Sequence, residues 1–263
     1  MTLSLYQVDA FADKLFSGNP AAVVPVEKMP EDSVMQNIAM ENNLAETAFI
    51  APSSKEGFDY DIRWFTPAAE IDLCGHATLA SAYVLFHILK FPDKYIRFSS
   101  KSGLLSVTVE GEMIMLDFPS WIPTRYDEYP SMLKNALGGA EILGVFKNRD
   151  LLVELPDQQT VSNCTPDFNL IKTMGSMVII TAPGKEVDFV SRFFAPTVGI
   201  DEDPATGSAH SQLIPFWAER LQKTKMKARQ LSSRGADFTC QQLGERVKMG
   251  GKCIYYMKGE IYL

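Results

Sequence analysis

Two long apolar segments dominate the pattern of hydrophobic and polar positions along the chain. The first, His76–Lys90, begins with small residues and is apolar on nearly every helical face, and the second, Thr206–Gln222, has the same character until its last turns. A helix that is hydrophobic all round is buried rather than amphipathic, so the pattern predicts one buried helix in each half of the chain. Pro215 lies inside the second segment and is expected to kink or restart the helix, because proline lacks a backbone donor.

Most of the remaining chain shows the alternating or short apolar runs that are typical of β-strands. The last two runs flank Lys258–Gly259, which predicts a tight terminal hairpin. Two shorter helices are expected at Glu31–Glu41 and Met132–Leu137. The predicted strands are Leu3–Phe11, Ala21–Val26, Glu46–Ile50, Tyr95–Ser99, Leu104–Val109, Met113–Phe118, Asp150–Leu155, Ser176–Thr181, Lys227–Leu231, Phe238–Gln242, Arg246–Met249, Ile254–Met257 and Glu260–Leu263.

A ten-residue block occurs twice, once in each half. Arg63–Asp72 (RWFTPAAEID) aligns with Arg192–Asp201 (RFFAPTVGID), 129 residues further on, with five identical positions. Each block leads into a turn of small residues and then into one of the two apolar segments, so its context repeats as well. Prolines and polar residues interrupt the strands between 119 and 130. We therefore predict an α+β fold of two pseudo-repeated halves, 1–120 and 121–263, each a curved, mostly antiparallel, barrel-like sheet around its buried helix.

Charge and cysteine usage exclude several classes of partner. The chain has 25 basic and 32 acidic side chains and a formal net charge of −7, which argues against sequence-independent binding to nucleic acid. No signal peptide and no apolar run of membrane-spanning length is present, so we expect a cytoplasmic protein without a membrane partner. Four scattered cysteines and three histidines show no metal-ligand spacing, and no nucleotide-binding glycine fingerprint occurs; we expect neither a metal nor an organic cofactor.

The repeat nominates two glycine-containing turns as binding positions. Asp72–His76 and Asp201–Ser208 each enter an apolar segment, so each places free backbone N–H groups and the positive end of a helix dipole where an anion could bind. A substrate carboxylate held at these helix starts is one interpretation. The alternative is that both turns are only helix caps, with Asp203 as the N-cap and Pro204 at the first helical position.

Four polar or reactive side chains near these turns and strands are ambiguous. Glu46 begins an apolar strand, where a carboxylate gains nothing from packing; it is either a solvated strand end or, in a cleft, a general base and acid. His76 could move protons or simply lie at a surface helix end. Cys74 could be a small buried residue or an activated thiol. Asn19, in a Gly-Asn-Pro turn, could reach a ligand.

Four motifs, taken in order, carry a resemblance to a known family. The chain resembles the PhzF-like proteins, named for the phenazine-biosynthesis isomerase, which share the diaminopimelate epimerase fold. It departs from the family's pattern at Ala45, where serine is common. The motifs are Val8-Asp9-Ala10-Phe11 with Gly18-Asn19-Pro20, Asn43 to Phe49 (NLAETAF), Arg63-Trp64-Phe65 with Cys74 to Thr78 (CGHAT), and Asp203 to His210 (DPATGSAH).

The resemblance implies roles for individual residues. It implies a catalytic glutamate at Glu46, supported by His76 and Asp203, and substrate-carboxylate binding by the small turns of the third and fourth motifs. It also implies a homodimer that uses neither metal nor organic cofactor. The predicted substrate-binding residues are Asn19, Gly75, Ala77, Gly207 and Ser208.

Three functions are compatible with these observations. The first is an isomerase that moves a proton on a small carboxylate-bearing metabolite through Glu46. The second is a two-base amino-acid racemase or epimerase, which needs two thiols. In the repeat, the position that corresponds to Cys74 is Asp203 or, with a one-residue slip, Pro204. Neither is a cysteine, so the thiol pair is incomplete. The third is a non-catalytic ligand-binding or interaction protein that retains the fold.

Overall fold

The computed structural model describes residues 2–263. Its α-helices are α1 (Asp32–Asn42), α2 (Gly75–Tyr83), α3 (Leu133–Ala136), α4 (Gln158–Asn163), α5 (Phe168–Thr173) and α6 (Gly207–Leu221). Its strands are β1 (Thr2–Ala10), β2 (Asn19–Pro25), β3 (Glu46–Pro52), β4 (Tyr60–Phe65), β5 (Glu70–Ile71), β6 (Tyr95–Ser100), β7 (Gly103–Glu110), β8 (Met113–Pro119), β9 (Thr124–Arg125), β10 (Gly144–Lys147), β11 (Leu151–Glu154), β12 (Val178–Pro183), β13 (Phe189–Ala195), β14 (Ile200–Glu202), β15 (Lys225–Gln230), β16 (Ala236–Leu243), β17 (Arg246–Gly251) and β18 (Cys253–Tyr262).

The chain forms two compact units, but the second does not extend to the C-terminus. The first unit contains the residues up to Asp117 together with Gly250–Leu263, and the second contains Phe118–Met249. The boundary expected after residue 120 lies close to the observed one, whereas assigning everything from 121 to 263 to the second half is wrong. The reason is strand pairing, because β18 returns to the first unit and pairs with β1.

The expected terminal hairpin at Lys258–Gly259 is also wrong. Residues 253–262 form one strand, β18, which pairs antiparallel with β1 from Thr2 opposite Tyr262 to Ala10 opposite Cys253. The register of this pairing shifts between Gln7 and Val8. Strand β1 pairs with the residues of β18 before and after Gly259. The glycine therefore stays in an extended strand and does not form a turn.

The two units repeat the same sequence of strand pairings. In the first, β2 and β3 are parallel, β3 and β4 antiparallel, β4 and β5 antiparallel, β4 and β6 parallel, and β6 and β7 antiparallel. In the second, the same order of pairings runs through β11, β12, β13, β14, β15 and β16. This confirms the duplicated α+β architecture.

The repeated sequence block has a physical basis in one ion pair in each unit. Arg63 on β4 makes a bidentate ion pair with Glu70 on β5, with both N–O distances at 2.7 Å. Arg192 on β13 does the same with Glu202 on β14, at 2.8 and 2.9 Å. Each guanidinium also lies over the phenylalanine two residues further on, at 5.2 and 5.0 Å from the ring centroid. The repeated Arg-x-Phe therefore fastens a short antiparallel strand pair ahead of each helix.

Each unit contains one buried helix, as the hydrophobic pattern predicts. In α2, eight of the nine residues are buried, and the helix packs against β1, β2 and β3. The prediction extended this helix to Lys90, but after Tyr83 the chain continues as a π-turn (Val84–Ile88), and Lys90 has a left-handed φ of 59°. In the second unit α6 contacts β16. None of the described helices is both long and apolar enough to cross a membrane.

Pro215 does not restart α6, so that part of the expectation is wrong. The helix is continuous over Gly207–Leu221 with Pro215 inside it. Because proline has no N–H, the carbonyl of Ser211 one turn earlier loses its helical donor. The backbone N–H of Trp121 donates to that carbonyl at 2.9 Å. An adjacent segment thus satisfies the freed acceptor and lets the helix continue.

Candidate functional site

A buried carboxylate and a buried imidazole meet in the first unit. Glu46 is the first residue of β3, and His76 is the second residue of α2. Oε2 of Glu46 lies 2.8 Å from Nε2 of His76, and the two residues are only 6% and 4% exposed. Burial of both groups next to each other excludes the alternatives of a solvated strand end for Glu46 and a surface helix end for His76.

Asn19 holds the other side of the His76 ring. Asn19 is fully buried, and its Nδ2 lies 3.1 Å from Nδ1 of His76. The preceding Gly18 has a φ of +68°, and a Cβ there would lie 2.2 Å from the carbonyl oxygen of Ala10. Only glycine therefore fits the turn that delivers Asn19 to the ring.

Cys74 completes this cluster as a buried thiol. Its Sγ lies 3.5 Å from Nδ1 and 3.9 Å from Nε2 of His76. Burial, reinforced by the charge of Glu46, raises the pKa of the Cys74 thiol, so the thiol resists ionisation. For His76, burial disfavours the charged ring, but the Cys74 sulfur and the Glu46 carboxylate outweigh burial and raise the pKa of His76 well above its ordinary value.

The same three residues offer donors that could hold a metal ion. One ligand atom each from Glu46, Cys74 and His76 lies within 4.8 Å of the others. Carboxylate, thiolate and imidazole are the ligand types of zinc sites. Spacing along the sequence does not reveal this set, because Glu46 lies on β3, whereas Cys74 and His76 lie at the start of α2. The raised pKa of the thiol opposes the thiolate form that a metal requires.

In the second unit, Asp203 belongs to a hydrogen-bonded turn. The hydroxyl of Thr206 donates to Oδ2 of Asp203 at 2.5 Å. The fully buried Gln230 accepts from the Thr206 N–H at 2.9 Å and donates to the Asp203 carbonyl at 2.6 Å. The Ser232 hydroxyl donates to the Pro204 carbonyl at 2.9 Å. Gln230, at the end of β15, and Ser232, which follows it, therefore hold the turn that carries Asp203 in place.

Both buried helices begin without a capping side chain. The N-cap of α2 is Cys74 and that of α6 is Thr206; within residues 2–263 neither supplies a capping oxygen, although the Ala77 N–H points to the Cys74 sulfur. The alternative in which Asp203 caps a helix starting at Pro204 is wrong, because α6 starts at Gly207. First-turn N–H groups without a capping oxygen remain available as donors to an anion.

The predicted site residues fall into two clusters, one in each unit. The first contains Asn19, Glu46, Gly75, His76 and Ala77, which are all buried. The second contains Asp203, Gly207 and Ser208, of which Gly207 is buried. Sequence reasoning missed Gln230 and Arg149, whose side chains contact Thr206 and Ser208. No motif marks either one, since both contacts span more than twenty residues of chain.

The duplicated α+β fold thus carries a buried carboxylate–imidazole pair at a helix start, two groups that serve in acid–base chemistry. The family model described as phenazine biosynthesis-like protein (PhzC-PhzF) matches residues 8–259. The chain belongs to this family.

Individual relatives and solved structures agree with this assignment. The chain is 47% identical to an uncharacterized isomerase of Pseudomonas aeruginosa over 100% of both chains. It is 48% identical in sequence to a PhzF-family phenazine biosynthesis protein from Enterococcus faecalis, with 100% of both chains covered. The crystal structure of that protein matches this one with a TM-score of 0.95. A predicted epimerase of Pseudomonas aeruginosa, at 19% identity, shares the fold with a TM-score of 0.74 and 99% of both chains covered.

Proposed function

We propose that this protein is a PhzF-like isomerase that moves a proton on a small, carboxylate-bearing metabolite. The observation that carries the proposal is the buried contact of 2.8 Å between Glu46 and His76. A carboxylate removed from water and placed beside an imidazole has the geometry that general acid–base catalysis requires. The names of curated relatives as isomerases support the same class of reaction.

In the proposed reaction, Glu46 is both base and acid. Its carboxylate takes a proton from a carbon activated by conjugation, so a C–H bond breaks and an O–H bond forms. It then returns the proton to another carbon of the same substrate, and no oxidant, reductant or leaving group is required. With Nδ1 of His76 facing the Nδ2 amide donor of Asn19, Nε2–H of His76 donates to Glu46 and positions its carboxylate for the proton transfer. Asn19 orients the His76 ring and so acts on the substrate through it.

A carboxylate of the substrate is proposed to bind at the start of α2 or at the start of α6. Gly75 at α2, and Gly207 and Ser208 at α6, present first-turn N–H groups without a capping oxygen. Ala77 adjoins them in the first turn of α2, with its N–H against the Cys74 sulfur. Such groups favour an anion through direct donation and through the helix dipole. Asp203 is proposed to relay protons or tune the site, with its carboxylate held by Thr206. A homodimer in the cytoplasm, without metal or organic cofactor, completes the proposal.

Solvent hydrogen exchange tests this function across a panel of candidate substrates. Small unsaturated carboxylates are first screened by thermal shift, and each compound that stabilises the protein is then incubated with it in deuterium oxide. The proposal predicts deuterium at a carbon conjugated with the carboxylate of at least one compound. Stabilisation without exchange for every compound would favour a non-catalytic ligand-binding protein instead.

We predict that Cys74 is dispensable for this exchange. Burial raises the pKa of its thiol, and the repeat supplies no second thiol, so a two-thiol racemase lacks its base. Cys74→Ser should leave the exchange rate within about tenfold of the wild type, the scale of a packing disturbance. Loss of nearly all exchange in a folded Cys74→Ser variant would restore the racemase or epimerase as the leading function.

Exchange should also survive chelators, although Glu46, Cys74 and His76 include the donor types of a zinc site. In the proposed reaction Glu46 takes and returns the proton itself, so no step needs a metal ion. Dialysis against EDTA, followed by assay with and without added Zn²⁺, should leave the rate unchanged or lowered by Zn²⁺. A rate abolished by EDTA and restored by a divalent metal would show that the cluster is a catalytic metal site.

A further inference from the structure

Arg149 lies beside the start of α6 in a fixed position. Its Nε and Nη2 donate to the carboxylate of Asp150, with Nε at 2.9 and 3.1 Å from the two carboxylate oxygens. Nη2 also donates to Oγ of Ser208, in the first turn of α6, at 3.1 Å. The guanidinium lies over the Trp121 ring, 4.9 Å from its centroid. Three neighbours thus determine where the guanidinium lies.

Helix α6 itself anchors two of these neighbours. Gln212 accepts from the N–H of Asp150 at 3.1 Å and donates to its carbonyl at 3.4 Å. The carbonyl of Ser211, freed by Pro215, accepts from the N–H of Trp121 at 2.9 Å. The helix therefore positions both the partner and the platform of Arg149 relative to its own first turn. Such preorganisation lowers the cost of binding a ligand there.

The guanidinium keeps donors for a ligand. The Arg149 side chain is 33% exposed, whereas the carboxylate side chain of Asp150 is fully buried. Nη1 of Arg149 makes no hydrogen bond to any residue in the range 2–263. Because the Ser208 oxygen accepts from Arg149, its hydroxyl proton can be donated elsewhere. These donors lie next to the uncapped N–H groups at the start of α6.

We propose that Arg149 binds a carboxylate of the substrate together with Ser208 at the start of α6, and that it selects a planar carboxylate over a neutral amide. This inference rests on the proposed function, because it assigns a specificity residue to that site. The Arg149–Asp150 pair is neutral overall, so recognition comes from directed N–H donors rather than from net charge. The remaining Nη1–H groups of Arg149 and the hydroxyl proton of Ser208 are all donors, so they match the two acceptor oxygens of a carboxylate, whereas the nitrogen of an amide would face a donor. The ammonium of lysine cannot keep the contacts to Asp150 and Ser208 and also reach the ligand in this fixed geometry.

The test is an NMR titration of the full-length protein with benzoate, with benzamide as the neutral control. The readouts are the Arg149 Nε–H and Ser208 amide resonances, and separately the Gly75, His76 and Ala77 amides of the first unit. Arg149→Lys should weaken the benzoate affinity measured at Ser208 about tenfold or more. Arg220→Lys is the matched control, because Arg220 has a similar bidentate partner, Glu154, and lies over the Phe216 ring.

A double variant distinguishes ligand binding by Arg149 from its ion pair with the buried carboxylate of Asp150. Arg149→Met with Asp150→Asn removes the ion pair as a whole, so no carboxylate is left buried without a partner. If Arg149 binds the ligand, the folded double variant still fails to hold benzoate at Ser208. If the double variant regains wild-type affinity, Arg149 serves only Asp150 and the proposal is overturned.

The pattern of responding resonances distinguishes this inference from the proposed function. Saturable shifts at Arg149 and Ser208 that are lost in Arg149→Lys and kept in Arg220→Lys support it. Shifts confined to the first-unit amides would overturn the role of Arg149 and leave the isomerase proposal intact. No saturable shift in either unit would contradict both the role of Arg149 and the binding of carboxylates at the helix starts.

Discussion

Glu46→Gln is expected to lower the rate of proton exchange on the substrate by about a hundredfold or more, the usual scale for a general acid–base group. The amide keeps the shape of the carboxylate but cannot accept the proton. Substrate affinity should change little, because the helix starts rather than Glu46 are proposed to bind the carboxylate. The measurement is the rate of deuterium incorporation at saturating substrate, together with the substrate concentration at half-saturation.

The matched control for this change is Glu70→Gln in the same unit. Glu70 is also a largely buried glutamate, with 14% side-chain exposure, and its partner is Arg63. The control removes a carboxylate charge without touching His76, so exchange should persist once both variants are shown to be folded by circular dichroism. Near-normal exchange in a folded Glu46→Gln protein would mean that another group moves the proton, with His76 and Asp203 the next to be tested.

The second large effect concerns His210, which should make the protein lose stability in mild acid. His210 is fully buried in α6, and its Nδ1 donates to the carbonyl of Thr206 at 2.9 Å. Its ring stacks on Phe238 with 3.7 Å between centroids. Burial lowers the pKa of His210 to about 4, although its bond to the Thr206 carbonyl acts in the opposite direction.

The sign of the pH effect follows from proton uptake. Above about pH 6.5 the ring is neutral in both the folded and the unfolded chain, so its full contribution to the free energy of unfolding is present. As the pH falls from 6.5 to about 4, the unfolded chain binds a proton that the folded chain excludes, and stability is lost. The loss from this residue amounts to about 3 kcal/mol in the free energy of unfolding at pH 4.

His210→Asn tests this by urea unfolding at pH 7 and pH 4. Asparagine retains an N–H for the Thr206 carbonyl but does not titrate, so the difference between the two pH values should shrink by about 3 kcal/mol relative to the wild type. His87→Asn is the control, because His87 lies in a half-buried position in the first unit and should change the difference less. An unchanged pH dependence in His210→Asn would refute the assignment to His210.

The sequence predicts those elements of the fold that depend on neighbouring residues and misses those that depend on distant partners. The buried helices were visible as segments without a polar face, and the Arg-x-Phe repeat marked the duplication, although the strands that carry it, β4 and β13, were not predicted. The two short helices α4 and α5, with Asp157 and Asp167 as N-caps, were not predicted, because their apolar stripes are too short to show a period. The return of β18 to β1 was missed for a different reason: a partner at the far end of the chain decided between a turn and a strand at Gly259.

For the site, the sequence identified residues but not their partners. Glu46 was recognisable as a carboxylate at the head of an apolar strand, and Gly75 and Gly207 as helix starts. The contact between Glu46 and His76 depends on the packing of α2 against β3, which no local pattern encodes. Arg149 had no signal at all, because two of its neighbours, Trp121 and Ser208, are distant from it in the sequence.

The most direct test of the central claim is a crystal structure of the Glu46→Gln variant with an exchanging carboxylate bound. The proposed function predicts that the carbon that gains deuterium lies within about 3.5 Å of the side chain at position 46, the distance of a reactive contact, with its carboxylate at a helix start. If that carbon instead lies against another titratable side chain, while position 46 contacts no part of the substrate, Glu46 is not the base and the proposed mechanism is wrong.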